Sequence, residues 1–340
     1  SQYVRAMSGC SFEARFYAED VAKGFLPATG AVTHLAHAPA SEFRHGSLRI
    51  DSGVRQGDAI SPFYDPMIAK VIVHGPSRKT ALRMLTRALD RYRVGGTVTN
   101  LEFLSSLSRH EGFVAGRVDT NLIARDLDDL VPVKQPDTIL WSIAALAALG
   151  FTHPSVDHAR PNDALFGWRH WSPAHHSTSL QCGEIVRDCT VTITGSHRFD
   201  VVCDGVTQSL EINAGTQGGL KVRAGDHWRT FDVSHHGTSI EIFQDGGVFS
   251  FTLPDRTGSD DMASDAGDAL LAPMPGLVMA IDVVRGDVVR AGERIMILEA
   301  MKMEHGLTAP RDAVIAEISV AAGDRVQDGV QLVRFETHHE

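Results

Sequence analysis

Cysteine is scarce in this chain, and Cys10, Cys182, Cys189 and Cys203 form neither a CxxC pair nor a dense framework. That spacing excludes a disulfide-stapled secreted scaffold, so a reducing compartment and no structural disulfide are the expectations. Long hydrophobic runs are missing too. The longest, Ile139 to Phe151, falls short of the roughly 20 residues that a membrane-crossing helix needs and is not at the N-terminus, so a soluble chain without a leader is expected. Basic residues are outnumbered, 32 against 42 acidic, and the formal net charge of −10 disfavours nucleic acid as a partner. There is no Walker loop, GxGxxG fingerprint, GxSxG elbow or HExxH pair, hence no kinase or hydrolase signature. The pairs His175-His176 and His235-His236 would point to opposite faces of a strand, so no metal site is expected in this chain.

What the sequence does contain is a repeat. Ala272 to Glu299 (APMPGLVMAIDVVRGDVVRAGERIMILE) aligns without a gap on Ala309 to Glu336 (APRDAVIAEISVAAGDRVQDGVQLVRFE). Shared positions include Ala272/Ala309, Pro273/Pro310, Gly286/Gly323, Asp287/Asp324, Gly292/Gly329 and Glu299/Glu336. Two like halves of short β-branched strands broken by Gly-Asp turns predict an all-β flattened barrel with a pseudo-twofold axis. The joining segment, Glu299-Ala300-Met301-Lys302-Met303-Glu304-His305, is then exposed at one end. Two methionines around a lysine on an exposed turn are hard to explain by solvation. This arrangement resembles the biotin carboxyl carrier domain, whose Ala-Met-Lys-Met tetrapeptide holds the biotinylated lysine. The resemblance makes Lys302 the attachment site for covalent biotin. It makes Glu299, Ala300, Met301 and Met303 the flanking residues read by biotin protein ligase. A lipoyl domain shares the doubled architecture but lacks this context.

The first region begins with an alternating strand, in which Phe12, Ala14 and Phe16 face opposite to Glu13, Arg15 and Tyr17. Leu48 to Val54 reads as another strand, and Ser61 to Val73 as a loop feeding a buried one. From Ser77, a plausible N-cap, Ala81, Leu82, Leu85, Ala88, Leu89 and Tyr92 recur at helical spacing. Asn100 to Ser108 is a second helical stretch, so the region is α+β. FEARFYAED, GFLPATG, YDPMIAK and TNLEFL strongly resemble the C-terminal part of a biotin carboxylase domain. That resemblance implies that the ATP-grasp part, with its ATP and Mg2+ sites, lies upstream, and that this sequence is the C-terminal portion of a longer polypeptide. In the family, the arginine of Glu-X-Arg contacts the ureido oxygen of biotin and stabilises the enolate formed when N1′ is deprotonated. That role falls on Arg15, where a guanidinium offers a cation that cannot lose its proton. From the residues alone, a surface ion pair with Glu13 or Glu19 is the competing reading. Arg49 matches a position at the carboxylase dimer contact of relatives, implying self-association. Tyr64 and Asp65 read as loop scaffold.

After Pro132 and Pro136, the run Asp137 to Gly150 has a polar cap, a glycine stop and apolar residues on every side, the pattern of a helix buried all round. Alternating runs between Glu184 and Leu253, separated by turns at Asp204-Gly205, Ala224-Gly225-Asp226 and Asp245-Gly246-Gly247, offer an antiparallel β-barrel to wrap it. This resembles the BT domain of acyl-CoA carboxylase α subunits, which docks the carboxyltransferase β subunit. Residues 255–268 are acidic and rich in small residues, the composition of a flexible linker.

The expected organisation is therefore multidomain. Residues 1–131 form a biotin carboxylase C-terminal domain, 132–254 a BT-like docking domain, 255–268 a linker and 269–337 the carrier. The resemblance implies an α subunit of a biotin-dependent acyl-CoA carboxylase, with an acyl-CoA bound on the β subunit. SGVRQGD and YDPMIAK look most like 3-methylcrotonyl-CoA carboxylases, with propionyl-CoA carboxylases next. An isolated, non-catalytic carrier and docking fragment is the alternative. Bacterial cytoplasm and mitochondrial matrix are equally compatible.

Overall fold

A computed structural model describes residues 8–61, 64–131, 134–152, 174–195, 197–215, 219–244, 246–254, 269–300 and 303–336. Three units follow one another, each around its own apolar cluster.

The first unit contains β1 (Cys10–Tyr17), β2 (Glu19–Asp20), β3 (Leu26–Pro27), β4 (Gly30–Ala31), β5 (His34–Ala36), β6 (Leu48–Ser52), β7 (Ala59–Ile60), β8 (Met67–Gly75) and β9 (Arg93–Gly95). Its helices are α1 (Arg78–Asp90), α2 (Leu101–Arg109) and three short ones, α3 (Glu111–Ala115), α4 (Leu122–Arg125) and α5 (Leu127–Leu130). The main sheet is antiparallel in the order β1-β8-β6. Alternation does the sorting on β1. Ala14 and Phe16 are buried while Glu13 and Arg15 are exposed. The Ser77 hydroxyl accepts from the Thr80 amide at 3.3 Å and starts α1. Ala81, Leu82, Leu85, Ala88 and Leu89 then fall on one stripe of that helix and are buried against the sheet.

The second unit is α6 (Thr138–Ala148) and eight strands: β10 (His175–Cys182), β11 (Ile185–Gly195), β12 (Arg198–Cys203), β13 (Val206–Ala214), β14 (Leu220–Ala224), β15 (His227–His236), β16 (Ser239–Gln244) and β17 (Gly247–Thr252). The strands pair in sequence and β10 closes on β17, making a barrel without a free edge. Asp137 caps α6, accepting from the Leu140 amide at 2.8 Å, and Gly150 follows with φ 78°. Leu140 to Ala147 are all buried. The helix therefore fills the barrel, packing against Val191, Phe199, Val201, Ile212, Ile240 and Phe251 among others. Trp141 stands edge-on to Phe251 at 5.0 Å, and the buried Ser142 hydroxyl is satisfied by donating to the Thr138 carbonyl at 2.8 Å.

The cysteines depart from the expectation of no structural disulfide. Cys189 and Cys203 are bonded to each other. They face directly across the β11–β12 pairing, with Cα atoms 4.5 Å apart, and both point into the barrel. Fourteen residues of separation carry no local signal of this pairing, which the strand register creates. Cys10 and Cys182 are free.

The third unit comprises β18 (Ala269–Leu271), β19 (Gly276–Ile281), β20 (Val288–Val289), β21 (Arg294–Ala300), β22 (Met303–Thr308), β23 (Ala313–Ile318), β24 (Arg325–Val326) and β25 (Gln331–Phe335). One sheet runs β22-β21-β19-β24 and the other β18-β25-β23-β20. Under the sequence repeat, the first order maps strand by strand onto the second, so the two halves exchange strands and a twofold relates the sheets. Hydrogen bonds repeat accordingly: Gly286 N donates to Ile315 O at 2.9 Å, and Gly323 N to Val278 O at 2.8 Å. Gly286 and Gly323 have φ of 93° and 96°, a backbone that only glycine adopts cheaply, which is why the Gly-Asp turn recurs. The interval 255–268, read as a linker, lies outside the described residues.

Candidate functional site

The joining hairpin of the third unit is positioned by β21 and β22. Their antiparallel register pairs Leu298 with His305, Glu299 with Glu304 and Ala300 with Met303. Leu298 and Ala300 are buried and anchor the stem in the unit's core. The backbones at Ala300 and Met303 are thus paired on either side of residues 301 and 302. Met301 and Lys302 themselves lie outside the described residues. Glu299 and Glu304 face one another across the stem. Like charges directly opposite destabilise a strand pair, and a turn selected only for stability would avoid them. Gly276 lets β19 close on this stem: a Cβ there would lie 2.8 Å from both the Glu299 carbonyl and the Leu298 Cγ. The equivalent position of the second half carries Ala313, so the close approach is confined to the half that bears the hairpin stem.

Arg15 projects from the solvent face of β1. Cross-strand register places Arg15, Lys70 and Asp51 in one row of the main sheet and Glu13, Ile72 and Arg49 in the next. Arg15 Nε donates to Glu13 Oε1 at 3.2 Å, so the ion pair anticipated as a competing reading does form. That hydrogen bond, with Tyr17 adding to it, holds the guanidinium above its ordinary value. The pair is exposed, with 59% of the Arg15 side chain accessible, and leaves the cation free to meet an anion. Arg49 binds Asp51 on the same face, with Nε 2.8 Å from Oδ2, and this contact pushes the Asp51 carboxyl below its usual range. Tyr64 is exposed, and Asp65 accepts from the Met67 amide at 3.0 Å within its loop.

Two residues that the sequence reading passed over also shape this region. Asn100 is buried and locks the end of β1. Its Oδ1 accepts from the Tyr17 amide at 3.0 Å, while its Nδ2 donates to the Arg15 carbonyl at 3.4 Å and to Glu19 at 3.5 Å. Burial raises the Glu19 pKa. Glu241, on β16, accepts from the Gly96 amide at 2.7 Å and from the Thr33 hydroxyl at 3.5 Å. Its neighbour Phe243 stacks near His34, ring centroids 5.3 Å apart, and Arg93 pairs with Asp232 at 3.0 Å. The outer face of β16 is therefore where the barrel rests on the first unit. Alternation in Ile240-Glu241-Ile242-Phe243 signals a strand but not that both its faces are covered.

Elsewhere, His175 bonds Thr192 at 2.9 Å and His176 meets the Phe151 ring, while His235 lies near the Gly237 carbonyl. Among the described residues, no three His, Cys, Asp or Glu side chains converge to hold a metal ion. Nor is any described helix long and apolar enough to cross a membrane.

The three units coincide with three family models: the biotin carboxylase C-terminal domain over residues 13–125, the BT domain of the methylcrotonyl-CoA carboxylase alpha subunit over 136–256, and the biotin-requiring enzyme domain over 268–335. The chain belongs to the biotin-dependent carboxylases. Within that family it is similar to the mitochondrial methylcrotonoyl-CoA carboxylase subunit alpha of Dictyostelium discoideum, 32% identical over 94% of this chain and 48% of the relative. The subunit alpha of Arabidopsis thaliana is 32% identical over 98% of this chain and 51% of the relative. A propionyl-CoA carboxylase alpha chain of Ruegeria pomeroyi is 29% identical over 97% and 52%. The chain spans about half the length of these relatives.

Proposed function

We propose that this chain is the biotin-carrying part of an α subunit of an acyl-CoA carboxylase, acting on 3-methylcrotonyl-CoA in leucine breakdown. The observation that carries the reading is the doubled third unit, whose paired Ala300 and Met303 flank Lys302. Biotin, amide-linked to Lys302, would supply the ureido nitrogen that carries CO2. The residues fit that group. The strand pairing up to Ala300 and Met303 leaves the lysine in the connection between the halves, and the opposed Glu299 and Glu304 give that end an acidic collar for biotin protein ligase to read.

Arg15 acts on the first unit as a permanent cation held by Glu13 and would stabilise the negative charge that develops on the ureido oxygen of biotin. Asn100 keeps its strand in place through the Arg15 carbonyl and the Tyr17 amide. Arg49, fixed by Asp51, presents the surface for self-association of this unit. The helix-filled barrel docks a carboxyltransferase β subunit that binds the acyl-CoA. ATP and Mg2+ belong to the upstream part of the polypeptide. The unit boundaries at 131, 254 and 269 separate these roles, and the compartment is the mitochondrial matrix or bacterial cytoplasm. The propionyl-CoA carboxylase relative keeps propionyl-CoA as a second substrate reading.

The test has two stages. Treatment with biotin protein ligase, biotin and ATP is expected to add one biotinyl group, mapped by mass spectrometry to Lys302. The complete α subunit is then assembled with the β subunit and offered 3-methylcrotonyl-CoA, propionyl-CoA and acetyl-CoA with bicarbonate and ATP. No biotin on Lys302 refutes the carrier reading; preference for propionyl-CoA or acetyl-CoA refutes the substrate.

A further inference from the structure

Phe25 has a left-handed backbone, φ 64°, directly after Gly24 at 76°. For an aromatic residue that conformation is strained and persists only where its surroundings hold it. What holds it is an edge-on contact between its ring and Phe103 at 5.3 Å, beside a small cluster of Val21, Phe103 and Leu130. Leu26 comes next and opens β3. The left-handed turn at Gly24-Phe25 separates the two side chains: Phe25 is seated on Phe103 and its cluster, and Leu26 is not part of that cluster.

Leu26 does not end in water. It packs against the core cluster of the third unit, whose members include Ala272, Met274 and Phe335, and among the described partly buried hydrophobic residues it alone does so from outside that unit. The hairpin that carries it is continuous with the strand of Arg15. Asp20 pairs with Leu26 across β2–β3, the Ala28 amide donates to the Ala18 carbonyl at 2.8 Å, and Asn100 ties Glu19 to the Arg15 backbone.

We propose that the β2–β3 hairpin is a docking knob for the carrier unit of the same chain, with Leu26 as its contact and the left-handed Phe25 as the residue that aims it. The knob holds the carrier against the unit that bears Arg15. The geometry stands by itself; only its purpose rests on the reading of the third unit as a biotin carrier. One half-buried leucine makes a weak contact, which suits a unit that must leave and return, and its loss shifts the docked-to-free ratio by about tenfold.

The test uses the whole chain, with Leu26→Asp and Leu26→Met variants, and reads the rotational tumbling of the third unit by 15N relaxation. Aspartate beside Glu19 and Asp20 is expected to free the carrier, so that its amides tumble faster than those of the first unit, while methionine leaves the wild-type value. The Phe25–Phe103 ring contact, followed by NOE, reports that the hairpin is intact; should aspartate disturb it, Leu26→Ser takes its place under the same two readings. Equal carrier tumbling in the wild type and the polar variant overturns the proposal. Biotin on Lys302 is scored separately: its absence sinks the carrier reading and leaves the dock standing, whereas unchanged tumbling with biotin present does the reverse.

Discussion

Replacing Glu241 tests how the barrel is held on the first unit. Glu241 is 7% exposed and accepts the Gly96 amide at 2.7 Å, with the Thr33 hydroxyl at 3.5 Å as a weaker donor. Glu241→Ala leaves that amide without an acceptor, at about 1–3 kcal/mol, or a factor of roughly 5 to 150 in local opening. Glu241→Gln keeps an acceptor oxygen and removes the charge. Burial is the main cause raising the Glu241 pKa, so the folded state holds its proton more tightly than the unfolded chain does. The associated stability is fully present below the unfolded value near ~4.3 and is lost as pH rises through the folded value. At neutral pH, glutamine is therefore expected to match or exceed the wild type, and the difference between them vanishes in acid. A methyl group at Gly95 would lie 2.0 Å from Glu241 Oε2, so Gly95→Ala expels the carboxylate and its effect should not add to that of Glu241→Ala. The assay is hydrogen exchange at the Gly96 amide in the whole chain between pH 4 and 8. Wild-type protection of that amide in Glu241→Ala, or equal losses in the Ala and Gln variants, would refute the reasoning.

Other outcomes follow from the same geometry. Lys302→Arg should abolish biotin incorporation on a streptavidin blot while changing the unfolding free energy obtained from urea titration by no more than about 0.5 kcal/mol, the range of surface changes. Arg15→Ala, in the assembled carboxylase, should lower kcat about 10²-fold with the KM for ATP unchanged, and Arg15→Lys should restore only part; a full recovery with lysine would reduce the residue to a generic positive charge. Arg49→Ala should raise the Asp51 pKa toward the ordinary carboxylate value, because the guanidinium hydrogen bond is its largest depressing cause. In the wild type Asp51 confers stability present above its unfolded value and lost as pH falls through the folded one; in the variant the two values draw together, so that contribution is smaller and is gone at a higher pH, as followed by carboxyl NMR. Cys189 and Cys203 should resist maleimide until the chain is both unfolded and reduced, whereas Cys10 and Cys182 should label after unfolding alone.

Local chemistry was enough for much of this protein. Ser77 capping α1, the all-apolar α6 bounded by Asp137 and Gly150, and the in/out alternation of β1 follow from propensities and periodicity within a few residues. The repeat also announced two like halves joined at Lys302, because Gly286 and Gly323 impose the same left-handed turn wherever they occur. Arg15 could be placed on the polar face of its strand by counting alone, though not its choice of Glu13 over Glu19 as partner.

Tertiary structure decided which distant residues meet. Strand register alone brings Cys189 onto Cys203, and the packing of one unit on another brings Glu241 to Gly96, 145 positions away. The exchange of strands between the two halves of the third unit, the Asn100 clamp on β1 and the Leu26 contact are of the same kind. The physical reason is that helix caps, turns and alternation are set by neighbours along the chain. A disulfide, a buried carboxylate or an apolar contact between units exists only once two separately formed surfaces are brought to within a few ångströms.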